Sequence, residues 1–213
     1  DVQRARLADF ADVLENVAIP LIEPVGPAAG DAAGKPWHLE KINAGAARRK
    51  GLVGAGVRIG IIDTGIDASH SEFAGKQIEF AEYDGSGFLV NTRPRDAGNH
   101  GTHVSALAAG ASFGVAPEAD LAVAAVLTTK TDRGMVGYLA QILAGLNWIA
   151  HSNHSRNGIS QCPVINASLG GVGYQDYLYS SVTTIRTVPA ALLVAAIGNS
   201  GRMGVNMHGS PGN

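Results

Sequence analysis

Three short stretches of the chain carry residues whose types could do chemistry. IIDTGID ends an apolar run at Asp63, with Thr64 and Gly65 turning the chain directly afterwards. NHGTHVSALAAG sets His100 ahead of a glycine, a threonine and a second histidine, His103, at the opening of a segment rich in small residues. VAAIGNSG delivers Asn199 from a further apolar run. A carboxylate buried at a strand edge without a partner costs on the order of several kcal/mol, so Asp63 calls for hydrogen bonds or a cation. An aspartate that caps a turn meets the same need, and this stretch alone does not separate the two roles. His100 is equally open between a base and a structural histidine. Histidines at i and i+3 raise zinc, but no third ligand stands at a zinc spacing. HGTH also lacks the glutamate of H-E-x-x-H, so zinc is the weaker reading. Gly54, Gly56 and Gly60 lie ahead of the strand's end rather than after it, which excludes the phosphate-cradling turn of a dinucleotide site.

The elements that must position these residues alternate between apolar strands and helices. VRIGIID (57–63) is a continuous β-branched run, as expected of a strand covered on both faces. LAVAAVL (121–127), VINASLG (164–170) and ALLVAAIGN (191–199) read as further buried strands. Helices are expected over 103–111, over 136–150 from the spacing of Leu139, Ile142, Leu143, Leu146 and Ile149, and over 174–187. Such alternation implies a parallel sheet flanked by helices. Ligands of such sheets bind beyond the carboxyl ends of the strands, where Asp63 and Asn199 fall.

Composition narrows the class further. The 213 residues are 46% hydrophobic and 16% charged, with 28 glycines, so the chain can bury a full core and turn tightly. A formal charge of −2 gives no nucleic-acid surface. No apolar run approaches the roughly 18 residues a membrane helix needs. The single cysteine, Cys162, excludes an internal disulfide and a cysteine zinc cage. No basic-then-apolar leader is visible at Asp1. Residues 1–34 stand apart. Leu7, Phe10, Val13, Leu14 and Val17 recur at helical spacing, and Pro20, Pro24 and Pro27 then force an extended, linker-like path. This arm is either packed on the larger domain or the remnant of a propeptide; residues 35–213 form the main domain.

D-T-G at a strand end, H-G-T-H at a helix start and a later strand ending in G-N occur here in one order, together with FGVAPEADLAVAAVL, VINASLGG and SPGN. In these motifs the chain resembles the subtilisin-like serine proteases, the subtilases, from about Trp37 onward. The resemblance implies an α/β three-layer fold, with a mostly parallel central sheet, helices on both faces and its C-terminal portion missing from this chain. It also implies roles. Asp63 would hold the imidazole of His100, His100 would be general base and then acid, and Asn199 would donate to the oxyanion, with His103 a structural neighbour. A substrate peptide would add as a strand between Ser168, Leu169 and Gly170 on one side and Arg133, Gly134 and Met135 on the other. The specificity pocket would be walled by Ser168 to Gly170 and by Ala196 to Gly198.

Two departures from the family qualify these expectations. No Gly-Thr-Ser occurs, so the nucleophile is expected beyond this sequence, on a longer chain or a companion fragment. Neither Ser200 nor Ser210 takes its place. The alternative is a pseudoprotease that binds extended peptides or a partner protein. LAAGASFGVAP lacks the Asn-containing calcium insertion of many members, so no cofactor is expected, and calcium stays open only elsewhere. The expected partners are peptide or protein substrates, with neither nucleic acid nor membrane. The family points to a secreted or periplasmic setting, with a cytoplasmic one as the alternative.

Overall fold

A computed structural model describes residues 14–22, 36–132, 134–151, 162–173, 179, 182–183, 191–199 and 209–210. Its central sheet is made of the apolar runs. In chain order the elements are β1 (Ala18–Pro20), α1 (Trp37–Lys41), α2 (Ala44–Arg49), β2 (Arg58–Asp63), β3 (Ile78–Tyr83), β4 (Leu89–Asn91), α3 (His100–Ala109), β5 (Asp120–Ala125), β6 (Thr129–Thr131), β7 (Gly134–Tyr138), α4 (Leu139–His151), β8 (Val164–Ala167), β9 (Gly171–Val172), β10 (Leu192–Ala195) and β11 (Gly209–Ser210). The main sheet runs β10-β8-β2-β5-β3-β4, parallel throughout except for β4 against β3. Asp63 pairs with Ala125, Ile62 with Ala167, and Ala167 with Ala195, so four strands finish at one edge.

Side chains of successive strand residues point to opposite faces, and here the two faces differ in size. Ile61, Leu121 and Val123 project toward α3, whose buried positions are Gly101, Ser105 and Ala109. On the other face Ala122 and Ala124 meet the large residues of α4: Ile142, Leu146 and Ile149. Gly60 continues that pattern, because a Cβ there would stand 2.5 Å from Ile149 Cγ2. Large side chains thus meet small ones across both interfaces, which lets each helix lie close to the sheet at native packing density.

Several boundaries differ from the expectations. The helix expected over 136–150 begins only at Leu139, because 134–138 form β7 instead. A side chain at Gly137 would put its Cβ 2.0 Å from Val126 O, so glycine is needed where β7 passes the turn after β5. The buried Gln141 then closes the strand-to-helix turn, accepting from Tyr138 N at 3.2 Å and donating to Tyr83 O at 2.6 Å. The helix expected over 103–111 starts earlier, at His100, and stops at Ala109, where Gly110 turns extended (φ −61°, ψ 151°). The strands expected over 57–63, 121–127, 164–170 and 191–199 are β2, β5, β8 and β10, the last two ending at Ala167 and Ala195. The N-terminal helix lies mostly outside the described residues, as does that over 174–187; residues 14–17, which are described, are not helical. Ala18–Pro20 lies where the expected helix gives way to the extended, linker-like path. It forms β1 and pairs antiparallel with β7 in a three-stranded sheet, β1-β7-β6.

Candidate active site

Asp63 closes β2 and is fully buried. Its carbonyl accepts from Val126 N at 2.9 Å and Leu127 N at 3.2 Å, which ties the strand end to the turn after β5. Its carboxylate accepts from Thr64 N at 2.7 Å and faces His100, whose Nδ1 lies 2.8 Å from Oδ1 and 3.0 Å from Oδ2. His100 is the first residue of α3, with a side chain only 12% exposed. A carboxylate can only accept, so Nδ1 carries the proton. In the neutral ring the lone pair is therefore on Nε2.

A second carboxylate, Asp96, holds the frame around this pair. Its Oδ1 accepts from Thr64 Oγ1 at 2.6 Å, Gly98 N at 3.0 Å and Asn99 N at 2.9 Å. Its Oδ2 accepts from Thr102 N at 2.7 Å and from the Thr102 hydroxyl. Thr64 Oγ1 in turn accepts from Gly101 N at 2.9 Å. The first turn of a helix has N–H groups with no intrahelical partner, and here Thr64 and Asp96 supply acceptors for two of them. Asn99, the residue at the N-cap, makes no side-chain cap bond and sits at φ 66°. Burial pushes the Asp96 pKa up, but the bonds from Thr102, Thr64 and Gly98 outweigh it and bring the carboxyl below its ordinary value. No motif points to Asp96. The only signal is an acid four residues ahead of His100, beside a Gly-Asn turn.

The glycines of the two motifs have a steric cause. A Cβ on Gly101 would lie 2.1 Å from Gly65 O, and one on Gly65 would lie 2.1 Å from Arg95 O. Gly65 also adopts φ 123°, a conformation that favours glycine. The turn after β2, the turn before α3 and the start of α3 therefore touch backbone to backbone. That contact brings His100 onto Asp63. Arg95 anchors the same turn, with Nε 2.7 Å from Glu82 Oε2.

The other expected site residues line the same sheet edge. Ser168, Leu169 and Gly170 follow β8; Ala196, Gly198 and the exposed Asn199 follow β10. Asn166 Nδ2 donates to Ser168 Oγ at 2.9 Å. Gly134 opens β7 at φ 109°; Arg133 lies outside the described residues. Between β7 and the 168–170 stretch the structure places the chain's own N-terminal strand. Leu21 N donates to Met135 O at 2.8 Å, Gly170 N donates to Pro20 O at 3.3 Å, and Leu21 bridges Leu169 antiparallel.

Neither a thiol nor a metal cluster competes with His100 among the described residues. Burial pushes the Cys162 thiol up to about 12, so it stays protonated inside the core. No group of three or more His, Cys, Asp and Glu that could hold a metal ion occurs among the described residues. After α3 the turn toward β5 closes on Glu72, which accepts from Ser112 N at 2.9 Å and Phe113 N at 3.2 Å.

The sequence profile of the subtilase family matches residues 54–213, three quarters of the chain and all of this site. The chain belongs to the subtilase family. Among curated subtilases it is 38% identical over 176 residues to the subtilisin-like protease PopC of Myxococcus xanthus, covering 73% of this chain and 36% of PopC. It is 34% identical over 178 residues to the thermostable alkaline protease of Halalkalibacterium halodurans, covering 80% of this chain and 43% of that protein. The chain therefore spans well under half the length of these relatives. The fold is that of a subtilisin-like proteinase. A cold-adapted subtilisin-like serine proteinase superposes with a TM-score of 0.57 at 29% identity, over 75% of this chain and 52% of the other.

Proposed function

We propose that the protein carrying this chain is a serine endopeptidase that hydrolyses peptide bonds through an acyl-enzyme, with peptides or proteins as substrates. The observation that carries the reading is the buried Asp63 carboxylate on His100 Nδ1 at 2.8 Å. Held in this way, His100 presents Nε2 to a serine hydroxyl, takes its proton as the hydroxyl attacks the carbonyl carbon, and returns it to the leaving amine. Asp63 stabilises the imidazolium that forms between the two steps and stays ionised itself. The Asn199 side chain donates to the oxygen that gains negative charge, and water then releases the acyl group. Gly134, Ser168, Leu169 and Gly170 bind the substrate backbone, and Ala196 and Gly198 wall the pocket for the side chain before the cleaved bond. The attacking serine lies outside this sequence, which has no Gly-Thr-Ser. The reaction needs no cofactor.

The test is labelling of the full-length protein with a fluorophosphonate, which reacts only with an activated serine. Labelling of the parent, and its loss in His100→Ala with the fold intact by circular dichroism, is the expected result. A parent that takes no label but binds extended peptides is instead a peptide-binding module without the chemistry.

A further inference from the structure

The two faces of the sheet are furnished differently beside Asp63 and His100. The endopeptidase reading assigns the acyl half of the substrate to the groove between β7 and residues 168–170. That groove belongs to the α4 face, whose cluster holds Met135, Leu139 and Leu169. On the α3 face lies a cavity of about 320 Å³, lined by His70, Glu72, Asn99, His103, Leu107 and Phe113 among others. We propose that this cavity receives a lysine or arginine side chain from the leaving half of the substrate, within the first three residues after the cut. The inference rests on the endopeptidase reading for its substrate and on the cavity for its chemistry.

The position follows from the elements that build the cavity. Asn99, His103 and Leu107 step along α3 at intervals of four and share one face. Gly101, Ser105 and Ala109, the buried row against the sheet, are each two residues away, or about 200° around the helix. The cavity therefore follows the side of α3 turned away from the sheet, and its end at Asn99 is one residue from His100. His70 and Glu72 supply the opposite wall, from the 3₁₀ turn Ser71–Phe73 and its cap. A peptide held on the α4 face crosses the sheet edge at the Asp63–His100 pair and emerges on the α3 face. An extended chain advances about 3.3–3.6 Å per residue, so a residue two or three places past the cut comes level with the cavity.

The charge selects a cation. Glu72 is 7% exposed, and both backbone bonds it accepts, from Ser112 and Phe113, fall on Oε2. A carboxylate has room for more donors than these. Burial pushes its pKa up, but the bonds from Ser112 and Phe113 outweigh it and hold the carboxyl below its ordinary value, so it is ionised at neutral pH. None of the described residues lining the cavity is a lysine or arginine. Lys76, which also feels Glu72, spends its amino group on Pro117 O at 2.6 Å and Ala119 O at 3.0 Å. The Asn99 and His103 side chains make no hydrogen bond among the described residues and add acceptors for an ammonium or guanidinium group. Ala106, Leu107 and the half-exposed Phe113 offer an apolar floor for the aliphatic stem, and the Phe113 ring face also attracts a cation. A metal ion is a poorer fit: His70 Nδ1 already accepts from Glu72 N at 3.2 Å, and no group of three ligands forms here among the described residues.

The test uses the full-length protein and internally quenched peptides that share the residues before the cut. Each carries lysine, alanine or glutamate at one of the first three positions after it, and mass spectrometry locates the cut. The expected result is a kcat/KM for lysine at least about tenfold above glutamate at one of these positions, with alanine between. That ratio should fall below about threefold in Glu72→Gln. Because the carboxylate also closes the turn at Ser112 and Phe113, Leu107→Trp is the second variant. Its indole fills the cavity from α3, leaves the Glu72 bonds in place and should remove the preference. Equal cleavage of the lysine and glutamate peptides, a preference for glutamate, or a lysine preference that survives in either variant overturns the proposal and leaves the endopeptidase reading in place. If no peptide is cut, that reading fails, and a fluorescein-labelled Ala-Lys-Ala peptide tests the cavity alone. It should bind the parent at least about tenfold tighter than Leu107→Trp. Equal binding to both, or to neither, overturns the assignment of the cavity.

Discussion

The Asp63–His100 pair and the β1 strand between β7 and residues 168–170 are built in opposite ways. The pair depends on side-chain identity: a fully buried carboxylate, a ring held by one nitrogen, and glycines whose absent Cβ lets two turns touch. The strand beside it depends on backbone groups: β1 is held by β7 on one side and by Gly170 N on the other. An isolated buried charge is costly and a well-bonded one is fixed, so the pair cannot be re-formed from other residues. Strand pairing, by contrast, depends on main-chain groups and tolerates changes of side chain on its exposed face.

The sharpest way to break this contrast is Asp63→Asn. The amide keeps the shape and can still accept from Thr64 N, but it no longer holds the required tautomer or balances the imidazolium. A fall of about 10⁴ in kcat is expected of such a triad, with binding of groove peptides unchanged. Steady-state kinetics and peptide titration on the full-length protein check both. Activity within tenfold of the parent would show that the pair does not carry the reaction.

A smaller effect is expected at Asp96, which frames the pair without touching the reacting atoms. Asp96→Asn replaces one acceptor oxygen by a donor against groups that are themselves donors: Thr64 Oγ1, Gly98 N and Asn99 N, or Thr102 N and its hydroxyl. A loss of about 1–3 kcal/mol in stability follows from the bonds left unmade. The sign with pH is fixed by the lowered pKa. The folded carboxyl titrates below the ordinary 3.8, so its stabilisation is complete above about pH 4 and disappears as pH falls through the lowered value. The gap between urea melts of parent and variant should therefore narrow as pH falls from about 7 toward 3. A gap that persists unchanged to the lowest pH would show that the charge of Asp96 is not the source of its effect.

Legibility in the sequence follows the same division. The β2 and β5 strands show as unbroken apolar runs because both faces are covered, and D-T-G and H-G-T-H show because a steric contact demands glycine at Gly65 and Gly101. The β1–β7 pairing is hidden for local reasons. Pro20 reads as a linker residue, yet a proline fits a strand wherever its missing N–H faces no acceptor. Val136 falls within the apolar spacing of α4 and so reads as helix, although Gly134, Gly137 and the buried Gln141 keep 134–138 extended. Asp96 is invisible for another reason. Its partners Thr64 and Thr102 lie on different elements, and only the folded turn brings them to one carboxylate.

The mildest probe separates the two regions most cleanly. Asn16, exposed and just upstream of β1, donates from Nδ2 to Gly85 O at 2.9 Å and accepts from Ala140 N at 2.9 Å. Together with Val17 O on Leu139 N it supplies acceptors for the first N–H groups of α4, which the helix itself cannot bond. The segment leading into β1 is therefore also the cap of α4. Asn16→Ala removes about 0.5–1.5 kcal/mol of this clamp, since exposed groups regain water. β1 should then be held less tightly, and the urea midpoint should fall with the slope unchanged. Urea melts of parent and variant, followed by circular dichroism, read it. An unchanged midpoint would mean that β1 and the start of α4 are held by their main-chain bonds alone, with no share from the Asn16 side chain.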